Sequence, residues 1–560
     1  MTMKKVTKIT YSIVVIMLVS ACSKSWLDET PPHVITTETL YTNLNGFEAG
    51  LNGLYSLVRA EREGIDGAAD NLQADIALLG TDNMVPNARG GIGFIALTWD
   101  TRNVSTDSRL ESIFLWLYKV VNAANTIINH AENRTDVDWS GPGTDEENKT
   151  RVLAEAKALR AWAYRHLTYC WGDVPLSLEE SLGSNIKTDW TRTPVSDVRA
   201  QMKEDWLFAE QHLSVEPSVR GRITRGAVQH YLAELYLTEG KPDSALFWAD
   251  QCLSTPAYRL ITDRYGVKAN QPGVTFMDMF YDGNSNREEG NTEALWVWQW
   301  EYNVVGGSGS IMRRYFNATY THSLISIDGV NPLQFTVDRG GRGLGRNQPT
   351  KWAIELYEPQ DDRGTNYAIR KYYILQDAAA NAPAPADNLP PGYQYGDTLK
   401  LSWEQDLSGT SNASRNDYPF IRKYDAVLPV DLVDSRSYND QVYLRLAETY
   451  LLKAEAQFKL GDLPGAAETI NVIRRRANAS EITAGDVSLD FILDERSREL
   501  IGEEHRRYTL LRTGKWLERV KRYNHRGGQT AAARDTLFPI PQLVIDANLT
   551  EKMPQNPGFN

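Results

Sequence analysis

In the stretch ESIFLWLYKVVNAANTIINHAE, from Glu111 to Glu132, apolar side chains recur every three or four residues: Ile113, Leu117, Val120, Val121, Ala124, Ile127 and Ile128. That period lines one face of an α-helix. RVLAEAKALRAWAYRHLTYCWGDVPL repeats the pattern, with Leu153, Ala156, Leu159 and Ala163 on a stripe; Gly172 stops the helix and Pro175 follows. The same reasoning predicts helices over 111–132, 150–170, 196–213, 226–253 and 441–477. Two of these segments resemble each other. Aligning Gly240 with Gly461 also aligns Ala233 with Ala454 and Ala245 with Ala466. A small residue seven before a turn glycine and an alanine five after it is the tetratricopeptide spacing, although Tyr236 meets only Gln457. One such hairpin cannot bury its own apolar face, so a scaffold of about four helical pairs is expected, since at least ~3 repeats are needed for stability.

The helical period is lost over 256–440, which is rich in Gly, Asn, Asp and aromatic residues, and again from Glu61 to Asn103. Within the longer stretch, EALWVWQWEYN from Glu293 alternates as a short strand does. VVGGSGS and DRGGRGLGRNQPT are glycine-rich loops, and DAAANAPAPADNLPPGYQYGD is a low-complexity surface excursion. The predicted fold class is mainly α: a scaffold of tetratricopeptide-like hairpins carrying a large irregular, loop-rich part with short strands.

The chain begins differently. Lys4, Lys5 and Lys8 precede the apolar run Ile13–Val19, and Ser20 and Ala21 are small. This is the layout of a secretory signal, and the run is too short for the ~20 apolar residues of a membrane span. Val19-Ser20-Ala21-Cys22 has the form of a bacterial lipobox, in which Cys22 becomes the first mature residue and its thiol takes a diacylglycerol. A further amide-linked palmitate would make the anchoring firm, because two or more chains hold where one is marginal. The polar segment after Cys22, with Pro31-Pro32, reads as an extended tether.

Composition narrows the function. The 560 residues are 42% hydrophobic and 24% charged, enough for a large core. The net charge of -12 argues against a nucleic-acid partner, because phosphate attraction needs clustered Lys and Arg. With 27 Tyr and 15 Trp against 14 Phe, the aromatic residues lean to those with a polar edge. The three cysteines form no CxxC pair; Cys170 and Cys252 fall in apolar helical surroundings as buried thiols. HExxH, P-loop, GxGxxG and nucleophile-elbow patterns are missing, and the eight histidines are scattered without metal-ligand spacing. The 72 acidic residues leave room for the carboxylate pair of a glycoside hydrolase.

Taken in order, several pieces resemble the SusD/RagB family of Bacteroidetes surface lipoproteins. They are Cys22 with SWLDETPP, LRAWAYRHLTYCWGDVPL, DDRG after KWAIELYEPQ, FIRKYD from Phe420, YLRLAETYLLKAEAQFKLGD, LDERSRELIGEEHRRYTLLRTGKW and the ending LFPIPQLVIDANLTEKMPQNPGFN. The resemblance implies a SusD-like fold and a signal at 1–21, a lipid-anchored tether at 22–40 and a single domain over 41–560. In that domain the scaffold falls roughly at 41–60, 105–255 and 440–520, and the irregular ligand-binding parts at 61–104 and 256–440. It also implies a non-catalytic protein on the outer face of the outer membrane. Such a protein captures oligosaccharides and acts as a lid for a SusC-like TonB-dependent transporter, with no metal and no cofactor beyond the lipid on Cys22. Peptide capture and surface glycoside hydrolysis are the alternatives. The charged run around His505 is, on the same resemblance, a structural signature.

Sugar binding needs aromatic faces for the apolar side of a pyranose and polar groups for its hydroxyls. GTDNMVPNARGGIGFIALTWD supplies Asn83, Asn87, Arg89 and Trp99, and WQWEYNVVGGSGSIMRRYFNATY supplies Trp300, Tyr302, Arg313, Tyr315 and Tyr320. These nine are the candidate carbohydrate contacts. Trp296 and Trp298 alternate with Leu295 and Val297 in the predicted strand and are left to the core.

Overall fold

The structure, a computed structural model, describes residues 36–64, 74–86, 93–183, 185–217, 219–321, 327–378, 385–401, 418–434 and 436–559. Cys22 and the tether to Pro32, and also Asn87 and Arg89, lie outside the described residues.

Helix α1 spans Leu44–Glu63, α2 Ser108–Asn133, α3 Asp145–Trp171, α4 Val195–His212, α5 Arg225–Thr238 and α6 Pro242–Leu253. After the irregular insert come α7 (Leu446–Lys459), α8 (Leu463–Arg476), α9 (Leu489–Leu500), α10 (Arg506–Arg512) and α11 (Trp516–Tyr523). Local chemistry sets the starts. The Asn43 side chain accepts from Gly46 N at 3.1 Å, and Thr144 and Glu147 close a capping box on α3. Successive helices pack through α1–α2, α2–α3, α3–α4, α4–α5 and α5–α6, and α6 then packs directly on α7. The helical stack therefore continues across the insert as though it were absent.

The two segments aligned by sequence are both hairpins. The predicted helix over 226–253 is broken at Gly240, between α5 and α6, and Gly461 separates α7 from α8. Both glycines have positive φ, +72° and +82°, the left-handed region that side chains with a Cβ avoid. Ala233, Ala245, Ala454 and Ala466 are buried where the paired helices approach. Leu452 and Ala456 of α7 share one apolar cluster with Leu237 and Ala249. The predicted helix over 441–477 begins instead with a strand, Gln441–Arg445.

Among the described residues, eight strands form four antiparallel pairs. They are β1 (Met84–Pro86) with β3 (Asn347–Pro349), β2 (Ala294–Trp298) with β8 (Gln441–Arg445), β4 (Ile369–Arg370) with β7 (Phe420–Ile421), and β5 (Tyr372–Ile374) with β6 (Thr398–Lys400). β2 is the strand expected from its sequence, but all five residues are buried. Its Trp298 stacks on Tyr443 with centroids 3.9 Å apart.

Buried charge joins insert to scaffold. Arg363 of DDRG bonds Asp361, Glu495 and Glu499 at 2.8–3.0 Å. Arg445 reaches Glu499 at 2.5 Å and Glu503 at 2.7 Å, and Arg476 pairs with Glu293 at 2.7 Å and with Glu499. Lys423 of FIRKYD donates to Glu503 and to the carbonyls of Glu499 and Ile501. The separate charged motifs of the sequence thus meet in one compensated cluster, as burial of ions requires. Cys170 and Cys252 are buried free thiols, and burial pushes both up to about 12.

Candidate ligand-binding cleft

A cleft of about 450 Å³ opens within the insert. Its position follows from the β2–β8 register. Because Trp298 lies opposite Gln441, the segment leaving β2 and the segment entering β8 run side by side. Trp300, Glu301 and Tyr302 therefore face the cleft beside Tyr438, Asn439 and Asp440. The backbone N–H of Trp300 donates to Asp440 Oδ1 at 3.0 Å. A second wall comes from Lys268, Phe280, Tyr281 and Asp282, and a third from Asp338 and the 422–429 segment that follows β7.

Tyr302 is 49% exposed, and its ring meets Tyr438 edge to face, with centroids 5.0 Å apart and planes at 73°. The Lys268 ammonium sits 4.1 Å from the Tyr281 ring centroid. Arg422 is held internally, by Asp425 at 2.6 Å and the Asp338 carbonyl at 3.0 Å. Burial pushes Asp440 above the ordinary carboxylate value; nearby Glu289 and Asp282 push the same way, against hydrogen bonds from Asn286 and Trp300. Two polar atoms of lining residues, Trp300 Nε1 and Asn439 Oδ1, have no hydrogen-bond partner among the described residues. An exposed aromatic edge beside the carboxylates of Asp282, Glu301 and Asp338 is suited to a ligand with both apolar faces and hydroxyls.

Of the nine candidates from sequence, the structure brings Trp300 and Tyr302 together in this cleft. Trp300 is only 3% exposed, with the Arg59 guanidinium 5.3 Å from its ring centroid. Five others are placed in the interior. The Trp99 ring is enclosed by Trp516, Phe538 and Arg507 and is fully buried. Arg313 is spent on the carbonyls of Gly340 and Arg342, at 3.0 and 2.8 Å, and so clips the glycine-rich loop. Tyr315 is buried in a short helix, Met312–Phe316. Tyr320 packs on Phe335 and Tyr373, and Asn83 donates to Ser497 Oγ at 3.1 Å. None of these five has a free face to offer a sugar. Asn87 and Arg89 fall outside the described residues. Tyr281, Tyr438, Asn439 and Asp440 are among the lining residues that sequence reasoning missed. They carry no motif, and only the strand pairing brings the last three beside Tyr302.

One other polar group invites a chemical reading. Ligand atoms of Glu61, His166 and His505 lie within 4.8 Å of one another. Arg165 donates to His505 Nδ1 at 2.7 Å, so the ring proton is on Nε2, which donates to Glu61 Oε1 at 2.8 Å. Burial holds His505 below the ordinary histidine value. In this tautomer the nitrogen facing Glu61 has no lone pair for an ion, and the group acts as a buried tie between α1, α3 and the start of α10.

Comparison with known proteins follows the same architecture. The family model described as "Starch-binding associating with outer membrane" matches residues 25–237, and that of the SusD family matches 292–559. The chain belongs to the SusD/RagB family. SusD-like protein P25 of Formosa agariphila is 25% identical over an alignment covering 99% of this chain and 100% of that protein. A SusD homolog from Bacteroides thetaiotaomicron superposes with a TM-score of 0.68 at 20% identity, covering 93% of this chain and 98% of its own. A laminarin-binding SusD-like protein gives a TM-score of 0.64 at 21% identity, over 93% and 100%. The mainly helical scaffold with its irregular insert is thus the SusD fold, and the cleft belongs to the insert of that fold.

Proposed function

We propose that this chain is a glycan-capture lipoprotein, held on the outer face of the outer membrane by lipid on Cys22. It passes its ligand to a SusC-like TonB-dependent transporter, over which it acts as a lid, and performs no chemistry itself. The observation that carries the glycan reading is the half-exposed Tyr302 ring, edge to face with Tyr438, at the mouth of a cleft lined by Asp282, Glu301 and Asp338. Supporting it are the family description as starch-binding and outer-membrane-associated and the laminarin-binding protein of like fold. The lipobox supports the anchor, and no helix among the described residues is long and apolar enough to cross a membrane.

The test is electrophoresis of the native protein through gels containing single polysaccharides. Retention without new reducing ends is expected, and Tyr302→Ala and Tyr438→Ala should each cut it at least about fivefold, since loss of a stacking face costs about 1 kcal/mol or more. Undiminished retention in both variants would remove the cleft from consideration. Release of reducing sugars would replace capture by hydrolysis.

A further inference from the structure

The side chains lining the cleft say which glycans it takes, given the capture reading above. Arg422 and Asp425 neutralise each other at 2.6 Å. That leaves Asp282, Glu301, Asp338 and Asp440 around the opening, against the single ammonium of Lys268. Behind Trp300, Arg59 is paired with Glu63 at 4.0 Å. The cleft is therefore net acidic, within an acidic chain. Hydrogen-bond capacity leans the same way. Carboxylates only accept, and Asn439 Oδ1 is one more acceptor without a donor among the described residues. Asp440 already receives the Asn286 amide at 2.7 Å and Trp300 N–H at 3.0 Å, so its carboxyl is oriented beside the opening. A ligand that satisfies these acceptors must bring O–H or N–H donors. Uronate and sulfate groups are themselves acceptor-only anions; here they would meet like charge. Sugar hydroxyls supply donors to the carboxylates.

We propose that the cleft takes uncharged, hydroxyl-rich glycans and excludes polyuronates and sulfated polysaccharides. Charge repulsion and unmatched acceptors act together, so the exclusion holds even where the sugar backbone would fit.

The experiment uses the purified lipoprotein in detergent, run against laminarin, amylopectin, galactomannan and arabinoxylan as neutral probes and alginate, polygalacturonate and carrageenan as anionic ones. At least one neutral probe should be retained, within about twofold between 20 and 500 mM NaCl, and no anionic probe at either salt. Asp282→Asn combined with Asp338→Asn should weaken neutral retention roughly tenfold by removing charged acceptors. Retention of an anionic probe that is lost in Tyr302→Ala overturns the class assignment while leaving glycan capture in place. If no probe of either kind is retained, capture itself falls and the class assignment with it.

Discussion

Asp75 is buried, with Asn347 Nδ2 2.9 Å from one carboxyl oxygen. Burial pushes its pKa up to about 7, against that hydrogen bond and the charge of Arg346. Between the unfolded value near 4 and that folded value, the native state binds the extra proton. Stability therefore falls as pH rises through this window and levels off above it. Asp75→Asn has no such titration. The wild-type protein should lose stability relative to it from pH 5 to pH 7 by on the order of 1 kcal/mol per pH unit. Thermal midpoints of both proteins at pH 5 and pH 8 measure this, and parallel pH profiles would refute it. The contrast with Glu499 shows what decides the sign. That carboxyl is equally buried, but the arginines at 476, 445 and 363 hold it well below the ordinary range. Both are buried carboxyls; the partners differ. The sugar candidates follow the same logic. Trp99 and Tyr302 are both aromatic residues in irregular sequence, but one is enclosed by Trp516 and Phe538 and the other is half exposed.

At the scale of elements, the helices were legible because burial of one face imposes a three-to-four-residue period, and α2 and α3 fall where that period placed them. The hairpin turns were legible for a different reason. Gly240 and Gly461 sit in the left-handed region, and a Cβ at either would meet no heavy atom within 4 Å. The requirement is one of backbone, not space. Gly240→Ala and Gly461→Ala should each cost about 1 kcal/mol with hairpin packing intact, read from denaturation midpoints with unchanged helical circular dichroism. A neutral or stabilising effect at both would show that the left-handed turn is dispensable. Strand β2 could be read from alternation, yet its partner β8 could not, because the start of 441–477 continues into a helical pattern. Pairing between segments so far apart leaves no local period.

At the scale of the molecule, α6 packs on α7, so the whole insert is a long excursion from one turn of a helical stack. The stack supplies rigidity, and the buried cluster around Arg363, Arg445, Glu499 and Lys423 ties the excursion to it. A cleft whose walls draw on several separated segments of the excursion is then held in one shape. The tether adds the last element of the proposed role. Cys22→Ala should release the protein from the membrane fraction while leaving glycan retention by the extracted protein within about twofold; fractionation with sodium carbonate checks the first and gel retention the second. Membrane association that persists would show that lipid on Cys22 is not the anchor.

The sequence by itself determined the helical scaffold, its two matching hairpins, the lipobox and the family, because each is written in local spacing or in ordered motifs. Only the tertiary structure decided which aromatic residues reach solvent and which carboxylates stay charged. Both depend on neighbours brought in from distant segments: Asp440 reaches Trp300 only through the β2–β8 pairing, and Glu499 meets Arg363 only when the insert docks on α9. Periodicity reports that a face is buried; what lies against it is settled when the chain packs.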